Sequence, residues 1–323
     1  MALLCAALAL SALAHADEAV WRNFMAAATE AAKRSEHALA AASYENAVKA
    51  AEDFGPSDTR MAAALYGLGR AKRALHEYPA AGRSLLRALA ILEAAPGPPQ
   101  ADHADVLNAL GDLKRVEGSY TEAEVYYRRE LALLEKLYGA VHPAVARALA
   151  NNLASLYRAQ GRNADAEAAY RRALAILEKS VPAGDERLGL ALIDLAEWYQ
   201  GRQQHTLAEP YYRRGIPILQ KMFPPAHPRV LHLLQDWGVV TQLQGRYREA
   251  EAIYTLMLKV IEGAYGPRHP NVGIALNNFV GLYEVQGRQA DADAVRKRML
   301  ELSNTQFRGQ PYVPYQVPPP RKR

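Results

Sequence analysis

The chain predicts an all-α fold, a solenoid of about seven helical hairpins, and three observations carry that expectation. A short pattern returns with its turn positions at Ser35, His76, Gly118, Gly161, Gln203, Gly245 and Gly287, spaced by 41, 42, 43, 42, 42 and 42 residues. Repetition at such a period marks stacked supersecondary units rather than one closed core. Five residues past each turn stands an alanine: Ala40, Ala81, Ala123, Ala166, Ala208, Ala250 and Ala292. An unbroken alanine column implies helices in close contact. Nine residues past each turn come Tyr44, Leu85, Tyr127, Tyr170, Tyr212 and Tyr254, and then Arg296. Only the last copy breaks the bulky column, as expected of an end repeat with one face in water.

The first segment, residues 1–16, holds no Lys, Arg, Asp or Glu, runs through Leu3, Leu4, Leu8, Leu10 and Leu13, and closes on Ala14-His15-Ala16. It reads as a secretory signal with a small-x-small cleavage site, although it lacks a basic leader; the other readings are an extra N-terminal helix of the array or a membrane anchor. An apolar run this short does not span a bilayer. Export would place the protein in the periplasm or outside the cell, whereas without it the same array would work in the cytoplasm. Cys5, the one cysteine, lies within the segment. The exported chain would therefore hold no thiol for disulfides or metal.

The array proper is expected over 17–302. Copy one is alanine-rich (Phe24, Ala27, Ala28, Ala31, Ala40, Tyr44, Ala47) and reads as a degenerate cap. Copy two carries Pro79 at the start of its second helix, where proline is tolerated. In copy four, Ala144 to Gln160 and Ala164 to Glu178 place their apolar residues at helical three- and four-residue steps. Copy five holds Pro210 and Pro217 inside its second helix, where a bend is expected. Breakers separate copies, as in Tyr138-Gly139-Ala140-Val141-His142-Pro143 and Tyr265-Gly266-Pro267-Arg268-His269-Pro270. Glycine there ends one helix and proline opens the next.

Copy four, with Leu153, Ala154, Tyr157, Gly161, Ala166, Tyr170 and Ala173, resembles a tetratricopeptide repeat of the 42-residue type found in kinesin light chains. Copies three, six and seven follow closely, copy three departing at Lys114 and Glu130. Across 20–302 the resemblance implies a right-handed solenoid with Gly118, Gly161, Gly245 and Gly287 as turn positions and Ala123, Ala166, Ala208 and Ala250 as close contacts. It also implies a protein-interaction scaffold in which paired asparagines of the first helices line a peptide groove. The residues matching that position are Asn108, Asn151 and Asn152, then Asp194, Gln235, Asp236, Asn277 and Asn278. Carboxamides suit such a surface because each offers an extended backbone both a donor and an acceptor. The bland alternative is that one asparagine per copy merely bonds to a neighbouring helix.

The last segment, 303–323, contains Pro311, Pro314, Pro318, Pro319 and Pro320, four basic residues and no acid. It reads as a disordered tail without helix. Of 39 basic and 34 acidic residues in the chain, 35 and 34 then fall outside the tail. A near-neutral array argues against nucleic acid, which requires an uncompensated basic face. Arg128-Arg129, Arg171-Arg172 and Arg213-Arg214 follow Glu124, Glu167 and Glu209 by about one helical turn, so intrahelical ion pairs are expected. No phosphate loop, nucleophile elbow or zinc-binding helix pattern occurs, and no cofactor or metal site is expected. The His-Pro pairs at His142, His227 and His269 fall one per copy and read as helix-start chemistry. The expected function is non-catalytic capture of a protein segment by an exported scaffold. An intracellular cargo or signalling adaptor is the first alternative, and an enzyme with an unrecognised site the second.

Overall fold

A computed structural model describes residues 2–306 except 56 and 99, so the expectation for the tail beyond 306 lies outside the described residues. The chain divides into two compact units, Met1–Pro182 and Ala183–Arg323. Unit 1 holds four hairpins: α1 (Ala2–Lys33) with α2 (His37–Ala51), α3 (Thr59–Ala74) with α4 (Tyr78–Ala94), α5 (Ala101–Val116) with α6 (Tyr120–Tyr138), and a composite first helix with α9 (Asn163–Ser180). The composite runs α7 (Pro143–Arg147), a π-helical segment (Ala148–Ala154) and α8 (Ser155–Ala159). Unit 2 holds three hairpins: α10 (Glu186–Gly201) with α11 (His205–Gln220), α12 (Pro228–Leu243) with α13 (Tyr247–Tyr265), and α14 (Pro270–Val285) with α15 (Gln289–Gln306). Helix α1 takes in the segment read as a signal, and α11 continues through Pro210 and Pro217. Helix α15 passes the expected end of the array at 302, since proline first appears only at Pro311.

All seven turn residues adopt the left-handed conformation: Gly118, Gly161, Gly245 and Gly287 at φ of 71–79°, and Ser35, His76 and Gln203 at 59–61°. Each closes its hairpin by a backbone bond from the next N–H to a carbonyl five residues back, such as Ser119 to Lys114 at 2.8 Å and Arg162 to Tyr157 at 2.8 Å. Such a bond satisfies a carbonyl orphaned at the helix end. The alanine column is fully buried in every copy. Beside it, Tyr127 and Tyr254 lie on helix-interior glycines: a Cβ on Gly111 would stand 2.4 Å from the Tyr127 ring, and one on Gly238 2.2 Å from Tyr254. Burying a side chain of leucine size contributes roughly 1.5–3 kcal/mol. The core of each unit is therefore added hairpin by hairpin. In unit 1, Met61, Leu65, Leu85, Leu89, Leu110 and Leu113 form one cluster, with Trp21 and Phe54 against it. In unit 2, Tyr254 packs with Phe279 and Leu282.

The His-Pro pairs open first helices. His142, His227 and His269 accept at Nδ1 from the backbone N–H of Ala144, Arg229 and Asn271, each at 3.2 Å. Each imidazole stacks on an aromatic ring at or just past the end of the preceding helix: Tyr138, Phe223 and Tyr265, at 4.6, 4.5 and 4.5 Å between centroids. An aromatic ring four residues ahead of the cap thus holds it in place. Burial pushes the His269 imidazole below its ordinary pKa.

Candidate functional site

In unit 1 the candidate carboxamides separate into two groups. Asn151 is exposed, whereas Asn108 is half-buried and Asn152 buried. Both of the latter turn toward Glu130 of α6: Asn152 Nδ2 donates to Oε2 at 2.6 Å and Asn108 Nδ2 to the same oxygen at 3.3 Å. Arg147 donates to Oε1 at 3.1 Å. Glu130 is fully buried. Burial raises its carboxyl pKa, against the opposing pull of Arg147, Asn108 and Asn152. The glutamate that departed from the repeat pattern is therefore the acceptor around which the candidate site is organised. For Asn108 and Asn152 the bonding to a neighbouring helix is what the structure shows.

Unit 2 repeats the division with weaker chemistry. Asn277 is exposed on α14, while the half-buried Asn278 points its amide at Met257 Sδ, 3.8 Å away. Met257 and Glu130 hold the same place, twelve residues past their turns, where Ala47, Ala88 and Ala173 stand in other copies. The second asparagine of each pair thus faces the large side chain at that position of the preceding second helix. Gln235 and Asp194 are half-buried. Asp236 accepts from Gln200 Nε2 at 3.2 Å and lies 3.3 Å from His232 Nε2.

Copy four differs from its neighbours by one residue. The residue capping the first helix precedes the turn residue by 18 positions in copies two, three, five, six and seven (Asp58, Gln100, Asp185, His227, His269). In copy four, from His142 to Gly161, it precedes it by 19. The extra residue is absorbed by the π-helical segment Ala148–Ala154, in which Ala150 and Asn152 are buried and Asn151 is turned to solvent. Single π-turns inside α-helices are rare and concentrate at functional sites.

The second helices carry a self-compensated charged face. Arg128, Arg171 and Arg213 pair with Glu124, Glu167 and Glu209 one turn earlier, at 2.8, 3.0 and 2.6 Å, as the spacing predicts. The companion arginines reach back a whole copy, Arg129 to Glu93 and Arg172 to Glu135 in unit 1 and Arg298 to Glu262 in unit 2. A third set joins successive copies: Glu124 accepts from Tyr157 and Arg162, and Glu251 from Tyr283 and Arg288, each arginine also lying over its tyrosine ring. In unit 2 the buried Glu209 also meets Arg246 at 3.3 Å and Trp237 Nε1 at 3.4 Å. Among the described residues no group of three metal-binding side chains forms, and no helix is long and apolar enough to cross a membrane.

Stacked helical hairpins with left-handed turns, an alanine seam and a tyrosine seated on a small residue define an all-α repeat scaffold. The sequence matches the tetratricopeptide-repeat family over residues 102–179, 148–221 and 229–304, more than half of its length, and the chain belongs to that family. No curated protein sequence matches it. Among solved structures it is similar to the nearly identical TPR-like repeats of a kinesin light chain from Podosopora anserina, at 19% identity over 63% of this chain and 96% of that one, with a TM-score of 0.52. It is also similar to a signal transduction ATPase with numerous domains and a tetratricopeptide repeat sensor from Pyrococcus horikoshii (15% identity, 89% of this chain, 43% of that one, TM-score 0.64). A Rap protein complexed with competence and sporulation factor matches at 14% identity over 88% of this chain and 75% of that one, with a TM-score of 0.51. At these identities the likeness is one of fold.

Proposed function

We propose that the protein is a non-catalytic scaffold that binds an extended segment of another polypeptide on the faces of its first helices, and that it does so outside the cytoplasm. The observation that carries the binding reading is the exposure of Asn151 and Asn277. Each lies in the middle of a first helix, uncommitted to the packing that occupies Asn108, Asn152 and Asn278. A carboxamide so placed meets both the N–H and the C=O of a strand laid across it. The Rap protein of like fold, crystallised with its factor, agrees with this reading. For export, the support is residues 1–16 together with the packing of copy one. Trp21, Ala28 and Ala31 lie in the cores of unit 1, and Arg60 lies 3.9 Å from Glu18. Cleavage after Ala16 would leave all of them in place. N-terminal sequencing of the mature protein separates an exported scaffold from an intracellular adaptor.

The binding test uses peptides selected from a phage-displayed random library on the intact chain. Each lost hydrogen bond to the partner is worth about 0.5–1.5 kcal/mol. Asn151→Ala in unit 1, or Asn277→Ala in unit 2, is therefore expected to weaken a selected peptide held by that unit roughly 2- to 10-fold without changing helicity or melting. Unaltered affinity would place the peptide elsewhere.

A further inference from the structure

We propose that Glu130 is a positioning residue of the unit 1 binding surface: a buried carboxylate that gathers Asn108, Arg147 and Asn152 from two successive first helices and so fixes the guanidinium and carboxamide that meet the partner. The inference rests on the peptide-binding reading above and assigns that surface its organising group. Glu130 occupies the slot of Ala47, Ala88 and Ala173, all fully buried, where the repeat needs no polar atom. A buried ion pair is weak grounds for stability, since its desolvation offsets most of its attraction. Three donors nevertheless converge on this one carboxylate, at 2.6, 3.1 and 3.3 Å. Two of them come from the single first helix that carries an extra residue.

Holding Arg147 and Asn152 also sets what lies beside them. Arg147 is bonded to Glu130 through Nη2, yet its side chain is 46% exposed, so further N–H groups of its planar fork face solvent. Asn151, adjacent to the buried Asn152, is exposed. The surface therefore presents donors at a fixed spacing, and it fits the backbone carbonyls of an extended segment. The charged group acting on the carboxylate is Arg147 from the copy-four helix, and Asp105 of α5 feels the same arginine. Burial also raises the pKa of Asp105, and Arg147, Asp102 and Arg70 act on its charge.

Protonating Glu130 removes its negative charge and turns one accepting oxygen into a donor, which loosens Arg147, so binding should weaken on acidification. The test takes a phage-selected peptide that loses affinity with Arg147→Ala or Asn151→Ala. Its affinity is then measured for the wild-type chain, Glu130→Gln and Glu130→Ala between about pH 7.5 and about pH 5. At neutral pH both variants are expected to bind about tenfold more weakly than wild type, and in both the dependence on pH should flatten to what Asp105 leaves. Melting of the isosteric Glu130→Gln should stay near wild type, and this variant carries the test if Glu130→Ala fails to fold. Wild-type affinity and an unchanged pH profile in Glu130→Gln would overturn the inference while leaving the groove reading intact. A wild-type chain that selects no peptide, or only peptides indifferent to Arg147, Asn151 and Asn277, would overturn both, and peptides that respond to Asn277 alone would overturn the inference only.

Discussion

Alanine in place of Gly281 is expected to stabilise unit 2, and alanine in place of Gly238 to destabilise it, although both glycines lie inside first helices. Glycine in a helix interior costs about 0.8–1 kcal/mol relative to alanine. A Cβ on Gly281 meets no atom within 4 Å, so the whole gain is realised. On Gly238 the same Cβ would stand 2.2, 2.7 and 2.9 Å from three atoms of the Tyr254 ring. That ring cannot simply swing aside. It is almost fully buried, its hydroxyl donates to Gln242 Oε1 at 3.0 Å, and Phe279 stands edge-on to it at 5.9 Å. Overpacking of this kind costs about 1–3 kcal/mol, leaving Gly238→Ala about 0–2 kcal/mol less stable than wild type after the propensity gain. The two variants should thus differ by about 1–3 kcal/mol in urea unfolding followed by far-UV ellipticity, with similar slopes. Equal stabilisation by both changes would mean that Tyr254 does not sit on Gly238, and the packing of the hairpin as described would be wrong.

Acid should weaken the start of α14. His269 caps α14 only as the neutral ring, and its folded pKa lies below the ordinary 6.5. The unfolded chain therefore takes up the proton first. The stabilisation from this residue is complete above the ordinary value and is lost as pH falls through it toward the folded value. His269→Asn, which keeps a capping oxygen that does not titrate, is expected to flatten that pH dependence, read from urea midpoints at neutral and mildly acidic pH; a slope identical to wild type would count against the cap. Glu209→Ala should cost about 1–3 kcal/mol and shift Trp237 fluorescence, because the indole N–H loses its acceptor beside a half-buried arginine. A change in midpoint below about 0.5 kcal/mol would show that the Glu209 network is ornamental.

Most of the frame could be read from residue spacing. A turn residue, an alanine five later and a bulky side chain nine later correspond to a left-handed φ, a buried seam and a core knob in six of seven copies; the seventh, Arg296, pairs instead with Glu284 and Asp293. The direction of each asparagine was harder to read, because adjacent residues on a helix point about 100° apart. Asn151 and Asn152 therefore serve different surfaces, and a π-turn between Arg147 and Ser155 decides which serves which. Nothing in Ala148-Leu149-Ala150-Asn151-Asn152-Leu153-Ala154 announces that turn except the one 43-residue interval. Glu130 seemed a blemish because its partners lie 17 and 22 residues away, beyond any local pattern. The copy-to-copy arginine rungs were hidden for the same reason, at separations of 36 and 37 residues.

The turns at Ser35, His76 and Gln203 have a consequence for how the chain comes apart. A side chain in the left-handed region strains the backbone by about 1–2 kcal/mol that glycine does not incur. Stacked arrays melt piecewise rather than all at once. Thermal fraying should begin at copies one, two and five, the leading hairpins of their units. Asn151, Glu130 and Asn277 ride on hairpins clasped by Gly161, Gly118 and Gly287, so the surfaces offered to a partner belong to the portions that let go last.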